Sequence, residues 1–203
     1  SLYSASATPD AFVSELNDPP GIAITPTGGE RYEGEYTVKR VWHVNLATTA
    51  KTEIRTLNSG AHGCALGNGG VLFVAEYYSN SVSKVELTSP YAYSTAVSGL
   101  SRPVSVVLNE PKTVMYVAEF SADQVRRVFL NTGNTESSKE VAVSGIDRAE
   151  GLALSKDGSV LYVGQSIGSG SVWRVPLSAS GSVAATDSMK IASSLNYPRG
   201  LLL

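Results

Sequence analysis

Two series of residues recur down this 203-residue chain at intervals of forty-odd positions, and both carry groups able to do chemistry. The first is Pro20, His62, Val104, Glu150 and Arg199, at steps of 42, 42, 46 and 49. An imidazole and a carboxylate in one series make His62, as a general base, and Glu150 the candidate catalytic residues. Each also has a structural reading: His62 as a hydrogen-bonded lining group, Glu150 and Arg199 as an ion pair joining neighbouring units. The second series is Glu33 or Glu35, then Glu76, Glu119 and Gln165. Its regularity suits a structural role, in which each carboxylate accepts N–H bonds from the turn that follows it. Its functional reading is a carboxylate-rich mouth that attracts cations or amines. Tyr77, Tyr78, Phe120 and Ile167 come directly after, where aromatic rings either stack on a ligand or pack beneath loops. The candidate ligand-binding residues are therefore His62, Glu76, Tyr77, Glu119, Phe120, Glu150, Gln165 and Arg199.

The elements that must position these residues are short strands. Each repeat opens on a small residue and an apolar run: PGIAIT from Pro20, HGCALG from His62, VSVVLN from Val104, EGLALS from Glu150 and RGLLL from Arg199. A second run follows about eleven residues later (VLFVAEY, VMYVAEF, VLYVGQS), and a third about eleven beyond that (SVSKVEL, QVRRVFL, SVWRVPL). Weaker outer runs lie around 96–98, 141–144 and 189–192. In the first repeat the second strand is the polar stretch Glu30 to Gly34, and Trp42 on the third strand keeps the register. Polarity rises from the first strand to the last, as expected when inner strands are buried on both faces and outer strands meet water. A forty-odd-residue unit of four short strands predicts an all-β fold, a β-propeller. The boundaries read as blades over 17–58, 59–100, 101–146 and 147–195. Residues 1–16 read as the outer part of a preceding blade and 196–203 as the first strand of a following one, in a ring expected to have six blades.

The composition narrows the partners. Sixteen basic and eighteen acidic residues give a formal charge of -2, which suits neither phosphate tracking nor nucleic acid. With 42% hydrophobic residues there is enough apolar material for a core, yet no apolar stretch approaches membrane-spanning length. The lone Cys64 lies inside an apolar strand and reads as a buried, inert thiol. His43, beside Trp42, reads as structural, and one member of each basic pair, Lys39-Arg40 and Arg126-Arg127, is expected to face solvent. Few lysines among many Ser, Thr, Gly and Tyr residues suggest an extracellular or periplasmic setting. Neither a phosphate-cradling loop, nor metal-spaced Cys/His residues, nor a G-x-S-x-G elbow is present.

The run GLALSKDGSVLYVGQS followed by SVWRVPL, together with VMYVAEFSADQVRRVFL, resembles the propeller superfamily of NHL-repeat, gluconolactonase/senescence-marker (SMP-30) and strictosidine-synthase-like proteins. WD-type repeats fit less well, because no Trp-Asp or Gly-His pair marks the units. The resemblance implies a site at the channel mouth. In the gluconolactonase-like family it implies a calcium ion held by oxygen donors at the first-series positions. Only Glu150 supplies such a donor; Pro20 and Val104 supply none, His62 offers nitrogen, and Arg199 would repel the metal. The reading that follows is a non-catalytic propeller presenting its channel mouth to a protein or small ligand, within a larger chain or assembly. The alternative is a calcium-dependent lactonase or a strictosidine-synthase-like enzyme acting at the same channel.

Overall fold

A computed structural model describes residues 16–203, and its strands assemble as four blades in a propeller arrangement. The first blade is β1 (Gly21–Ile24), β2 (Glu30–Glu35), β3 (Arg40–Asn45) and β4 (Lys51–Thr56). The second is β5 (Ala61–Leu66), β6 (Val71–Glu76), β7 (Ser81–Glu86) and β8 (Tyr93–Val97). The third is β9 (Pro103–Leu108), β10 (Val114–Glu119), β11 (Gln124–Leu130) and β12 (Glu136–Ser144). The fourth is β13 (Ala149–Leu154), β14 (Val160–Gln165), β15 (Gly170–Pro176) and β17 (Lys190–Leu195). A further short strand, β16 (Val183–Ala184), leaves the fourth blade and pairs in parallel with β12, so that it covers part of the third blade's outer edge.

The second strand of the second, third and fourth blades is apolar nearly throughout because its two faces serve two different seams. Leu72 and Val74 pack with Ala23, Tyr32, Val41 and Ile54 of the first blade. Val71, Phe73 and Ala75 pack with Val106, Met115 and Val117 of the third. The next seam joins Tyr116, Ala118 and Val125 to Leu152, Leu161 and Val163. In the first blade the positions matching Leu72 and Val74 hold Arg31 and Glu33, an ion pair at 2.8 Å with Glu33 almost fully buried. Burial raises the Glu33 pKa, while the Arg31 charge works in the opposite direction.

The innermost strands stand close together around the channel. A Cβ added to Gly63 would lie 2.8 Å from the Ser105 Cα and 2.9 Å from the Val104 carbonyl oxygen, and one added to Gly21 would lie 2.4 Å from the His62 carbonyl oxygen, so at these two positions glycine is demanded by blade-to-blade approach. Residues 196–203 form no strand. They run beside Gly151, whose added Cβ would meet the Arg199 carbonyl oxygen. Residues 1–15, where the sequence suggests strands of a preceding blade, lie outside the described residues.

The pair Arg126-Arg127 was expected to turn one member to solvent; Arg126 is only partly exposed, and the guanidinium of Arg127 is buried. It pairs with Glu140 and donates to the Ser178 carbonyl at 2.6 Å, which ties the third blade to a loop of the fourth. Its neighbour Arg126 pairs with Glu119. Among the described residues no helix is long and apolar enough to cross a membrane.

Candidate functional site

Ladder irregularities aim the first-series residues. In the second blade Ala61 pairs with Glu76 and Cys64 with Val74, so His62 and Gly63 together oppose one residue of β6. The fourth blade repeats this, with Ala149 opposite Gln165 and Leu152 opposite Val163, leaving Glu150 and Gly151 across from Gly164. In the third, Pro103 pairs with Glu119 and Ser105 with Ala118, which makes Val104 the extra residue. Such a bulge turns one side chain out of the pleat. The sequence places the first-series residues at the openings of the inner strands' apolar runs. His62, Val104 and Glu150 instead lie inside β5, β9 and β13, and the bulge delivers them to the channel.

All five first-series residues line one cavity of about 610 Å³. Tyr77 and Phe120 join them, as do two residues that were not among the candidates, Asp18 and Tyr36. The signal for Tyr36 was present, because Gly34-Glu35-Tyr36 matches Ala75-Glu76-Tyr77 and Ala118-Glu119-Phe120. The polarity of the first blade's second strand obscured it. Asp18 has no counterpart of its type in the other blades.

The cavity has an aromatic wall. His62 lies 4.9 Å from the Tyr36 ring and 5.2 Å from that of Tyr77, centroid to centroid, and Tyr77 is 6.3 Å from Phe120. Burial pushes the His62 pKa down to about 4; nearby Asp18 raises it and Arg199 lowers it further. The imidazole is therefore neutral at pH 7. Burial likewise lifts the Cys64 thiol to about 12, with the Glu33 carboxylate adding to the shift, which leaves no thiolate for nucleophilic chemistry.

Glu76 and Glu119 are placed elsewhere. Their side chains are fully buried and do not line the cavity. They accept hydrogen bonds from the segment entering their blade and from the third strand, whereas the sequence suggested the turn that follows them. Glu76 accepts from the Ser59 N–H at 2.8 Å, the Tyr93 hydroxyl at 2.7 Å and the Ser83 hydroxyl. Glu119 accepts from the Ser101 N–H at 2.8 Å, Gln124 at 2.7 Å and Arg126 at 2.9 Å. Glu35, rather than Glu33, is the first-blade member: it accepts from the Asn17 N–H and the Trp42 indole, both at 2.7 Å. These carboxylates are hubs that fasten each inter-blade loop to its blade. Gln165 occupies the corresponding place in the fourth blade, half-buried at the end of β14.

Glu150 is largely buried and lies 3.7 Å from the Arg199 guanidinium, which is 66% exposed. The remaining first-series positions are Pro20, His62 and Val104, and among the described residues no three His, Cys, Asp or Glu side chains are grouped to hold a metal. This donor set does not fit calcium, which takes six to eight oxygens.

Comparison with protein-family profiles and with curated proteins finds no match. Similarity to solved structures is clear in fold. The hydrazine synthase of Kuenenia stuttgartiensis aligns over 96% of this chain and 53% of its own, with a TM-score of 0.68 and 19% identity. The PQQ-bound aldose sugar dehydrogenase of Streptomyces coelicolor aligns over 83% of this chain and 63% of its own, with a TM-score of 0.67 and 15% identity. A protein of unknown function from Desulfotomaculum acetoxidans aligns over 80% and 55%, at 0.63 and 14%. The chain thus spans between half and two thirds of the length of these structures. At such identities the likeness establishes the propeller fold and carries no activity with it.

Proposed function

We propose that this chain forms the binding face of a β-propeller whose channel mouth takes up a small molecule without transforming it. The observation that carries this reading is the 610 Å³ cavity, to which every described blade contributes and whose wall joins three aromatic side chains to a neutral imidazole. A concave, largely preformed site with a few polar groups at its edge is the form small-molecule sites take. A small molecule suits it better than a protein, because the rings lie within a recess and, among the aromatic side chains of the described residues, only Tyr78 and Tyr197 stand well out as anchors. The six-bladed ring and the extracellular or periplasmic setting expected from sequence belong to this same reading. To test it, aromatic fragments are screened by ligand-observed NMR against the wild-type chain and against His62→Trp, whose larger side chain plugs the space beside the Tyr36 and Tyr77 rings. Fragment signals that vanish in the variant support the reading; binding unchanged by the plug overturns it.

A hydrolase or lyase is the second reading, and the neutral His62 sharing a cavity with Glu150 favours it. An imidazole of pKa about 4 is unprotonated at pH 7 and free to accept a proton, although its basicity is weak. Chromogenic ester and lactone hydrolysis that disappears in His62→Gln while the fold is retained would establish it.

A further inference from the structure

The charges around the cavity are segregated, and the segregation indicates a ligand. Asp18, Gly60, Arg102, Arg148 and Tyr197 occupy one repeat position, three residues ahead of the small residue that opens each unit. Four of them have positive φ: 50° at Asp18, 50° at Arg102, 49° at Arg148 and 48° at Tyr197. Hydrogen bonds hold the two arginines in that conformation. The Arg102 N–H donates to the Asn80 side chain at 3.0 Å, and its carbonyl accepts from the Phe120 N–H at 3.1 Å. The Arg148 N–H donates to the Asp123 carboxylate at 3.1 Å, and its carbonyl accepts from the Ser166 N–H at 3.1 Å. Both backbones are thus pinned while both side chains are exposed.

Each guanidinium then lies over an aromatic ring of the cavity wall. Arg102 is 5.3 Å from the Tyr77 centroid, with a long 3.4 Å hydrogen bond to its hydroxyl, and Arg148 is 5.8 Å from that of Phe120. Among the described residues neither guanidinium has a carboxylate within 4 Å. Arg199 adds a third cation, only loosely engaged by Glu150. Asp18 lies at the opposite end of the arc, on the first blade. A guanidinium held near a ring and without a carboxylate partner keeps most of its N–H donors free, which suits a planar oxyanion.

Resting on the small-molecule reading above, we infer that the ligand is a planar organic anion, its ring against Tyr36, His62, Tyr77 and Phe120 and its carboxylate or equivalent group on Arg102 and Arg148. Three naphthalene probes that differ only in charge test this: 2-naphthoate, 2-naphthol and 2-naphthylmethylammonium, titrated calorimetrically into the wild-type chain and into the double variant Arg102→Gln/Arg148→Gln. Both arginines are exposed and take no part in the cores, so the variant keeps its fold. The expected result is that naphthoate binds at least tenfold more tightly than the ammonium probe, loses about tenfold in the double variant, and weakens with added salt. Binding of the ammonium probe as tight as that of naphthoate, or naphthoate affinity unchanged in the variant, overturns the anion assignment while leaving the small-molecule site intact. Failure of all three probes to bind the folded chain overturns both.

Discussion

Lowering the pH from 7.5 to 5 should destabilise this protein by about 2 kcal/mol through a single imidazole. Burial in the channel holds the His62 pKa at about 4, against 6.5 for the unperturbed side chain. The folded state therefore binds fewer protons than the unfolded chain throughout the interval between those values. Stability from this source is complete above pH 6.5 and is lost as the pH falls toward 4. At pH 5 an unfolded-state imidazole is almost wholly protonated and the folded one only about a tenth, which integrates to about 2 kcal/mol, rising to a limit of about 3 kcal/mol in stronger acid. The groups acting on the ring are Asp18, which favours its protonation, and Arg199, which opposes it. Urea denaturation of the wild type and of His62→Gln at pH 7.5 and 5.0 measures the effect. Carboxylates such as Glu33, with its raised pKa, and Asp157, with its lowered one, titrate in both chains and cancel in the comparison. The wild type should lose about 2 kcal/mol more than the variant over that pH step, a midpoint shift of roughly 1 M urea. Equal losses in the two chains, or an NMR titration midpoint for His62 near 6.5, would refute the argument.

The buried carboxylate hubs make two further predictions. Glu119→Ala leaves the Ser101 N–H and the Arg126 guanidinium without their acceptor, and should cost about 3 kcal/mol in urea denaturation. Gln165→Glu should also destabilise, by about 1–3 kcal/mol, because the new carboxylate would be half-buried beside Val172, where the other blades offer Trp42, Ser83 or Arg126 as donors. A neutral or stabilising result for Gln165→Glu would mean that the hub does not depend on its third-strand partner.

The strands were legible because a period of forty-odd residues lays four copies of each over one another, and apolar second strands such as Val71–Glu76 can only be buried on both faces. The convergence of Pro20, His62, Val104, Glu150 and Arg199 on one cavity followed from the same register. The reason it does so did not, since the extra residue at His62, Val104 and Glu150 shows only in the pairing with the neighbouring strand. The hub acids were read as turn acceptors because the turn is what lies nearest in sequence. Their actual donors are the N–H groups of Asn17, Ser59 and Ser101, seventeen or eighteen residues upstream, and strand pairing alone brings those close. Arg102 and Arg148 carry no signal in the sequence, because the rings of Tyr77 and Phe120 that they lie over are each supplied by the preceding blade.

Two repeat positions in this fold are under opposite constraints, which explains why one is monotonous and the other is not. At the end of the second strand, a buried acceptor must satisfy an N–H from the incoming loop and a side chain from the third strand. Glutamate serves in three blades with donors as different as an indole, a hydroxyl and a guanidinium. Where the donor is lost, at Val172, the charge is lost with it, and Gln165 replaces the acid. At the bulge the side chain is turned toward the channel, and His, Val and Glu succeed one another there, with Pro20 at the matching position of the first blade. The chemistry of the mouth can therefore change without disturbing the scaffold. In its present set the wall rings Tyr77 and Phe120 also pack against the core between the third and fourth blades, so the proposed ligand would meet a surface that the scaffold itself holds rigid.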